Sequence, residues 1–218
     1  MHITTSSLFR LAGLAAVMAG VSYSILGVFH PANVIASVTT PAWAIVHLFA
    51  LAWCFFGFFG LTGLYTRQVE ESGWLGLIGY LMLTLWLAMV MGFTFIEVFI
   101  LPILATESPA FVEGFVGMFT GAPSTIDLGA LPTIWAISGP LYLLGGIVFG
   151  IATFRARVFP RWAGLLLAVG TAAGPAAILF PPDYVGLVAV PVGIALAWLG
   201  YALWSERRVQ DAEPVARG

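Results

Sequence analysis

Residues 92–103 read GFTFIEVFILPI, a run of apolar and small residues around one carboxylate, Glu97. An ionised carboxylate in hydrocarbon is costly and calls for a partner or a purpose. Two histidines stand in similar surroundings: His30, just before Pro31, and His47, within AWAIVHLFALAWC (42–54). Two imidazoles and a carboxylate can hold a divalent metal. Two imidazoles on facing helices can hold a haem. A titratable Glu beside a water-filled cavity can relay protons and serve transport of a small molecule. The same three residues can also form a hydrogen-bonded couple that ties helices together in a structural or accessory subunit. No HExxH or Glu-x-x-His spacing chooses among these chemistries, and no cofactor is required by the sequence.

The elements that position these residues follow from composition. Of 218 residues, 61% are hydrophobic and only 8% charged, where a soluble domain carries about 25% charged residues. Mean hydropathy is +1.02, so the solvent for most of the chain is lipid. The net charge of −2 argues against nucleic acid as a partner. The single cysteine, Cys54, excludes an internal disulfide and a cysteine-based metal cluster, and reads as small core filler. No phosphate loop, dinucleotide fingerprint, nucleophile motif, nuclease or kinase signature is present, so nothing points to an enzyme.

A helix needs about 20 apolar residues to cross the hydrocarbon. Six segments qualify, at about 8–29, 42–65, 74–104, 131–154, 162–180 and 185–204. The expected fold is all-α: a single polytopic membrane domain over 1–204, six transmembrane helices arranged as three hairpins, with a disordered cytoplasmic tail over 205–218. The first run is longer than the apolar core of a signal peptide, so it reads as a retained span. Every arginine falls on one side of this map: Arg10, Arg67, Arg155, Arg157, Arg161, Arg207, Arg208 and Arg217. The opposite loops carry Glu107, Glu113, Asp127 and Asp183 and no basic residue. The positive-inside rule places both termini in the cytoplasm. Tyr65, Trp74, Phe154, Trp162 and Trp204 form an aromatic belt at that face. His2 is expected there too, in solvent.

Spans one, three and five open alike, as Arg10-LAGL, Gly73-WLGL and Arg161-WAGL, which suggests a threefold hairpin repeat. Small residues recur at spacing four: Ala12, Ala16, Gly20 and Ser24; Gly164, Ala168, Ala172 and Ala176; Gly146 and Gly150. Such stripes let helix backbones approach closely, within one chain, in a homo-oligomer or against a partner subunit. Gly139-Pro140 and Gly174-Pro175 are expected to kink spans four and five.

Depth brings the chemistry-bearing residues to one level. At 1.5 Å per residue, His47 lies about 27 Å above Tyr65, His30 about 28 Å above Leu11 and Glu97 about 34 Å above Trp74. That level is the outer boundary of the hydrocarbon. Trp43 shares a face with His47, Thr94 with Glu97, and Tyr23 with His30. Ser138 and Tyr142 lie somewhat deeper on span four. Together these residues could line a polar pocket open to the outside. Ser108-Pro109 reads as an N-cap and first helical position, and Phe111, Phe115 and Phe119 repeat at four. A short helix over 108–120 is expected in the outer interface, ended by Gly121, its aromatic face on lipid or on the bundle.

Four stretches, His30-Pro31, Trp43 with His47, FIEVFILP (95–102) and ARVFPRWAGLLL (156–167), give the whole chain a pattern that resembles uncharacterised prokaryotic six-helix integral membrane proteins. The resemblance implies a multi-pass protein of a bacterial or archaeal plasma membrane. It brings no activity with it.

Overall fold

A computed structural model describes residues 4–179 and 186–212, with the side chains of all but 177, 178 and 207–212. The expected turn at 181–184, the start of the sixth span at 185, and His2 and Arg217 lie outside the described residues. Those residues form helices and loops, with no strand among them.

Helix α1 (Thr5–Phe29) opens on a capping box between Thr4 and Ser7. After a short helix α2 (Ile35–Val38), Thr40 caps α3 (Pro41–Arg67), with Pro41 in the first turn where its missing N–H is harmless. Helix α4 (Val69–Phe95) continues through a π-helical turn (Ile96–Ile100) into α5 (Leu101–Glu107). Gly73, at φ +52°, breaks its first turn from the rod that starts at Trp74. Helix α6 (Pro109–Thr120) starts at Pro109, after Ser108, and ends in left-handed Gly121, although the Ser108 hydroxyl makes no capping bond. Helix α7 (Leu131–Ala156) runs through Pro140.

The segment expected as one helix over 162–180 is instead α8 (Arg161–Ala172) followed by a 3-10 turn (Gly174–Leu179). Pro175 offers no N–H to the Thr171 carbonyl and its ring collides with that oxygen in α geometry, so the chain tightens there. Helix α9 (Ala189–Ala212) carries on past Ser205. Among the described residues, five helical segments are long and apolar enough to cross a bilayer: Thr5–Phe29, Pro41–Arg67, Val69–Glu107, Leu131–Ala156 and Gly186–Glu206. Their length and composition suit a membrane-embedded helical protein.

Helices α1, α3, α4, α7, α8 and α9 pack as a ring in chain order, each on its neighbours, and the ring closes between α9 and α1. The closure is backbone against backbone. A Cβ on Gly13 would stand 2.7 Å from the Gly200 carbonyl oxygen, and one on Gly200 2.6 Å from that of Gly13. Gly20 meets Gly193 and Gly27 meets Gly186 in the same way. The descending register makes α1 and α9 antiparallel, with glycines seven apart on α1 and on α9 with the turn that precedes it. Large side chains fill the ring, among them Trp53, Leu64, Phe149 and Leu199. A second cluster caps one end, where α2, α5 and α6 bury Val38, Trp43, Leu101, Val112 and Phe115. The other end holds the described arginines. There Arg67 pairs with Glu206 through both guanidinium and carboxylate atoms, and buried Gln68 donates to the Thr153 hydroxyl at 2.9 Å.

Candidate functional site

The capped end gathers residues from α1, α3 and the π-helical turn. The turn itself has a local cause. Pro102 cannot donate to a carbonyl one turn back, and its ring crowds that turn. The helix widens instead, and the Leu101 N–H bonds the Ile96 carbonyl five residues back. Glu97 sits in this turn, 7% exposed, its side chain turned inward.

Trp43 is the hub of the site and is fully buried. Its indole N–H donates to the main-chain oxygen of Glu97 at 2.9 Å. The His47 ring stacks on the Trp43 ring with centroids 4.0 Å apart. Nδ1 of His47 lies 2.8 Å from the Trp43 carbonyl oxygen. A carbonyl only accepts, so Nδ1 carries a hydrogen and Nε2 of the neutral ring is left with its lone pair. That Nε2 is buried, has no hydrogen-bond partner, and lies 3.6 Å from a carboxylate oxygen of Glu97. This separation is too long for a direct hydrogen bond, and it becomes an ion pair only when Nε2 also carries a proton.

His30 closes the group from α1. Its ring meets that of His47 edge to face at 5.0 Å, and its Nδ1 donates to the Pro31 carbonyl oxygen at 2.7 Å. Its Nε2 is thereby an acceptor as well. His30 is only half-buried by surface area yet closely surrounded by protein. Burial, and next the neighbouring His47, push its pKa down to about 4, against a smaller upward pull from the Pro31 hydrogen bond. It is a neutral ring at neutral pH.

His30, His47 and Glu97 thus stand side by side with Trp43, and Thr94, one turn before Glu97, is buried. They are not arranged as a chelate: among the described residues no three His, Cys, Asp or Glu side chains are grouped to hold a metal. Nor can a porphyrin slip between two imidazoles already in edge-to-face contact. The deeper residues form a second group. The Tyr23 and Tyr142 hydroxyls are 3.4 Å apart, and Tyr23 stacks on Trp53 at 4.4 Å. Ser138 donates to the Trp135 carbonyl of its own helix at 2.7 Å and is satisfied there.

From the sequence Cys54 reads only as core filler. Cys54 is fully buried in the core of the ring, seven residues after His47 on the same face of α3. Its place on the His47 face of α3 was the available signal. Thr171, which faces the Tyr142 hydroxyl, gave none. No known protein-family model, curated protein or solved structure matches the chain.

Proposed function

We propose that the chain is a six-span protein of a prokaryotic plasma membrane, with both termini cytoplasmic, that binds and releases a proton at its outer end through His47 and Glu97. Helix α8 and the 3-10 turn after it together reach about 30 Å, the thickness of the hydrocarbon, which supports a sixth crossing. Arginines gather at one end of the ring, while Glu107 of α5, Glu113 of α6 and Asp127 of the loop after it belong to the connection between α4 and α7 at the other, which supports the orientation.

The observation that carries the reading is the buried, unpartnered Nε2 of His47, held as an acceptor 3.6 Å from Glu97. With one proton between them, on the carboxyl or on Nε2, the pair is neutral overall either way. Adding or removing a proton leaves a net charge in a buried place, which is costly unless another event offsets it. Such a pair suits proton-coupled movement of a small molecule. The other titratable neighbours are His30 from α1 and Cys54 from α3, while Glu107, Glu113 and Asp127 are exposed. The metal and haem readings have less support, since the three side chains are not grouped as ligands and the two rings touch.

The test follows both side chains in bilayer nanodiscs from roughly pH 5 to 8, where a histidine is poised to change charge. Nitrogen-15 NMR reads the imidazole and isotope-edited infrared the carboxyl. One titration step shared by both residues is expected, and it disappears from the survivor in Glu97→Gln or His47→Gln. Independent titrations, or a proton that never moves across this range, would overturn the reading. The pair would then be a brace between α3 and the π-helical turn.

A further inference from the structure

We propose that the corner between α7 and α8 holds the headgroup of an anionic phospholipid from the leaflet at the arginine end, through Arg155, Arg157 and Arg161. The inference stands apart from the proton site and does not rest on it.

The corner is a packed turn, not a loose loop. Arg155 lies in the last turn of α7, Arg157 caps that helix in the left-handed region at φ +58°, and Arg161 opens α8. Among the described residues Arg157 alone has a positive φ without being a glycine. Such a conformation persists only where the surroundings fix it. Here Phe159, 4% exposed, anchors the link in the core of the ring. All three arginines are exposed. The guanidinium carbon of Arg161 lies 4.3 Å over the Phe154 ring and 5.7 Å over the Trp162 ring. A guanidinium held by its face over a ring keeps its N–H donors unspent, and their planar fork matches a phosphate.

The chain offers these charges no partner of its own. No Asp or Glu occurs between Asp127 and Asp183, and α8 starts with no acidic residue in its first turn and no side-chain cap. Among the described residues none of the three arginines forms an ion pair or a hydrogen bond, whereas Arg67 at the same end is engaged by Glu206. Three unpaired cations on one turn are complementary to an anion. Their depth says which one. Trp162, next to Arg161, is 61% exposed, and an exposed tryptophan at the end of a spanning bundle settles at the headgroup level of the bilayer. Basic groups at that level, beside a spanning helix, recognise anionic lipid heads.

The test uses the full-length protein with nitrogen-15 in its arginines, in phosphatidylcholine nanodiscs carrying a rising share of phosphatidylglycerol. The side-chain N–H signals of Arg157, Arg161 and Arg10 are assigned by their loss in Arg157→Gln, Arg161→Lys and Arg10→Gln. Those of Arg157 and Arg161 should shift together and saturate, while that of Arg10, on α1, follows the lipid share without saturating. The share at half-saturation should rise about fivefold in Arg157→Gln, read at Arg161, from the charge alone. It should also rise in Arg161→Lys, read at Arg157, because an ammonium keeps the charge but not the planar fork. Signals of Arg157 and Arg161 that track Arg10 without saturating would mean diffuse attraction and overturn the site. A half-saturation share unchanged in either variant overturns it too. Inorganic phosphate added to pure phosphatidylcholine nanodiscs should leave the two signals in place; if it reproduces their shift, the corner takes a soluble anion and the lipid assignment fails.

Discussion

The indole N–H of Trp43 supplies the hydrogen bond that Pro102 cannot make to Glu97. In the π-helical turn carbonyls accept from the residue five ahead, as Ile96 does from Leu101. The residue five ahead of Glu97 is Pro102, which has no N–H. The Leu101 N–H is already taken, so the Glu97 carbonyl is left without a helical donor. Trp43 reaches across from α3 and fills the place at 2.9 Å. The bond fixes the indole, the indole carries the stacked His47 ring, and the Trp43 carbonyl sets the His47 tautomer. One proline thus governs how the histidine and the carboxylate face each other.

The relationship predicts a double-mutant result. Trp43→Phe keeps most of the ring packing and leaves a buried carbonyl unsatisfied, at a cost of about 1–3 kcal/mol. Pro102→Ala restores a backbone donor and lets the turn relax towards α geometry. Equilibrium unfolding in detergent should show Trp43→Phe destabilising more in the native background than in the Pro102→Ala background. Strict additivity would mean the two residues are not energetically linked.

His30 predicts a pH dependence with a definite sign. Its folded pKa is lowered to about 4 from the ordinary 6.5, first by burial and then by His47. Between these values the unfolded chain binds more protons than the folded one, so stability rises with pH there. The contribution is complete above the ordinary value and is lost as pH falls towards about 4. Melting curves across that window should slope for the wild type and flatten for His30→Asn, and nitrogen-15 NMR should find His30 neutral with its proton on Nδ1 at neutral pH.

The sequence carried some of these features openly and hid others. Apolar length alone located the long helices, and depth counted from interfacial aromatics brought His30, His47 and Glu97 to one level. Pro109 and Gly121 bounded α6 because each acts locally on the backbone. The π-helical turn stayed hidden because it follows from a hydrogen-bond count around Pro102, not from hydropathy. The break in span five was read as a kink at Gly174-Pro175, whereas the chain leaves α geometry after Ala172 altogether. The glycines of the α1–α9 contact were present at spacing seven, but the stripes were sought at spacing four. Adjacent helix turns repeat at four, while two long antiparallel helices that stay in contact repeat at seven. Which rings would meet in the middle depended on helix rotation, which spans apolar on all sides do not encode.

The glycine contact makes a sharp comparison. A Cβ at position 20 would run into the Gly193 carbonyl, which is backbone and cannot swing aside. Gly20→Ala should therefore force α1 from α9 and cost about 1–3 kcal/mol, as overpacking does. Gly92 lies on the exposed side of α4 with nothing within 4 Å of a Cβ. Gly92→Ala should be neutral or stabilising by up to about 1 kcal/mol, through helix propensity. Unfolding of the two variants side by side checks the ring closure; equal effects would mean the α1–α9 spacing yields easily.

At the arginine end, Gln68 and Thr153 should behave as a unit while Arg67 and Glu206 should not. Gln68 is fully buried, its amide donates to Thr153 at 2.9 Å, and its own oxygen has no partner. Thr153→Val leaves the amide hydrogens unpaired as well, which costs about 1–3 kcal/mol. Changing both partners to apolar residues, Gln68→Leu with Thr153→Val, removes every unsatisfied group and should recover most of that loss. The Arg67–Glu206 side chains are each a quarter exposed, so solvent competes for their charges and Glu206→Gln should cost about 1 kcal/mol or less. Unfolding midpoints of these three variants beside the wild type, in one detergent, decide the matter. A double variant less stable than Thr153→Val would show that the buried amide contributes more than its one hydrogen bond.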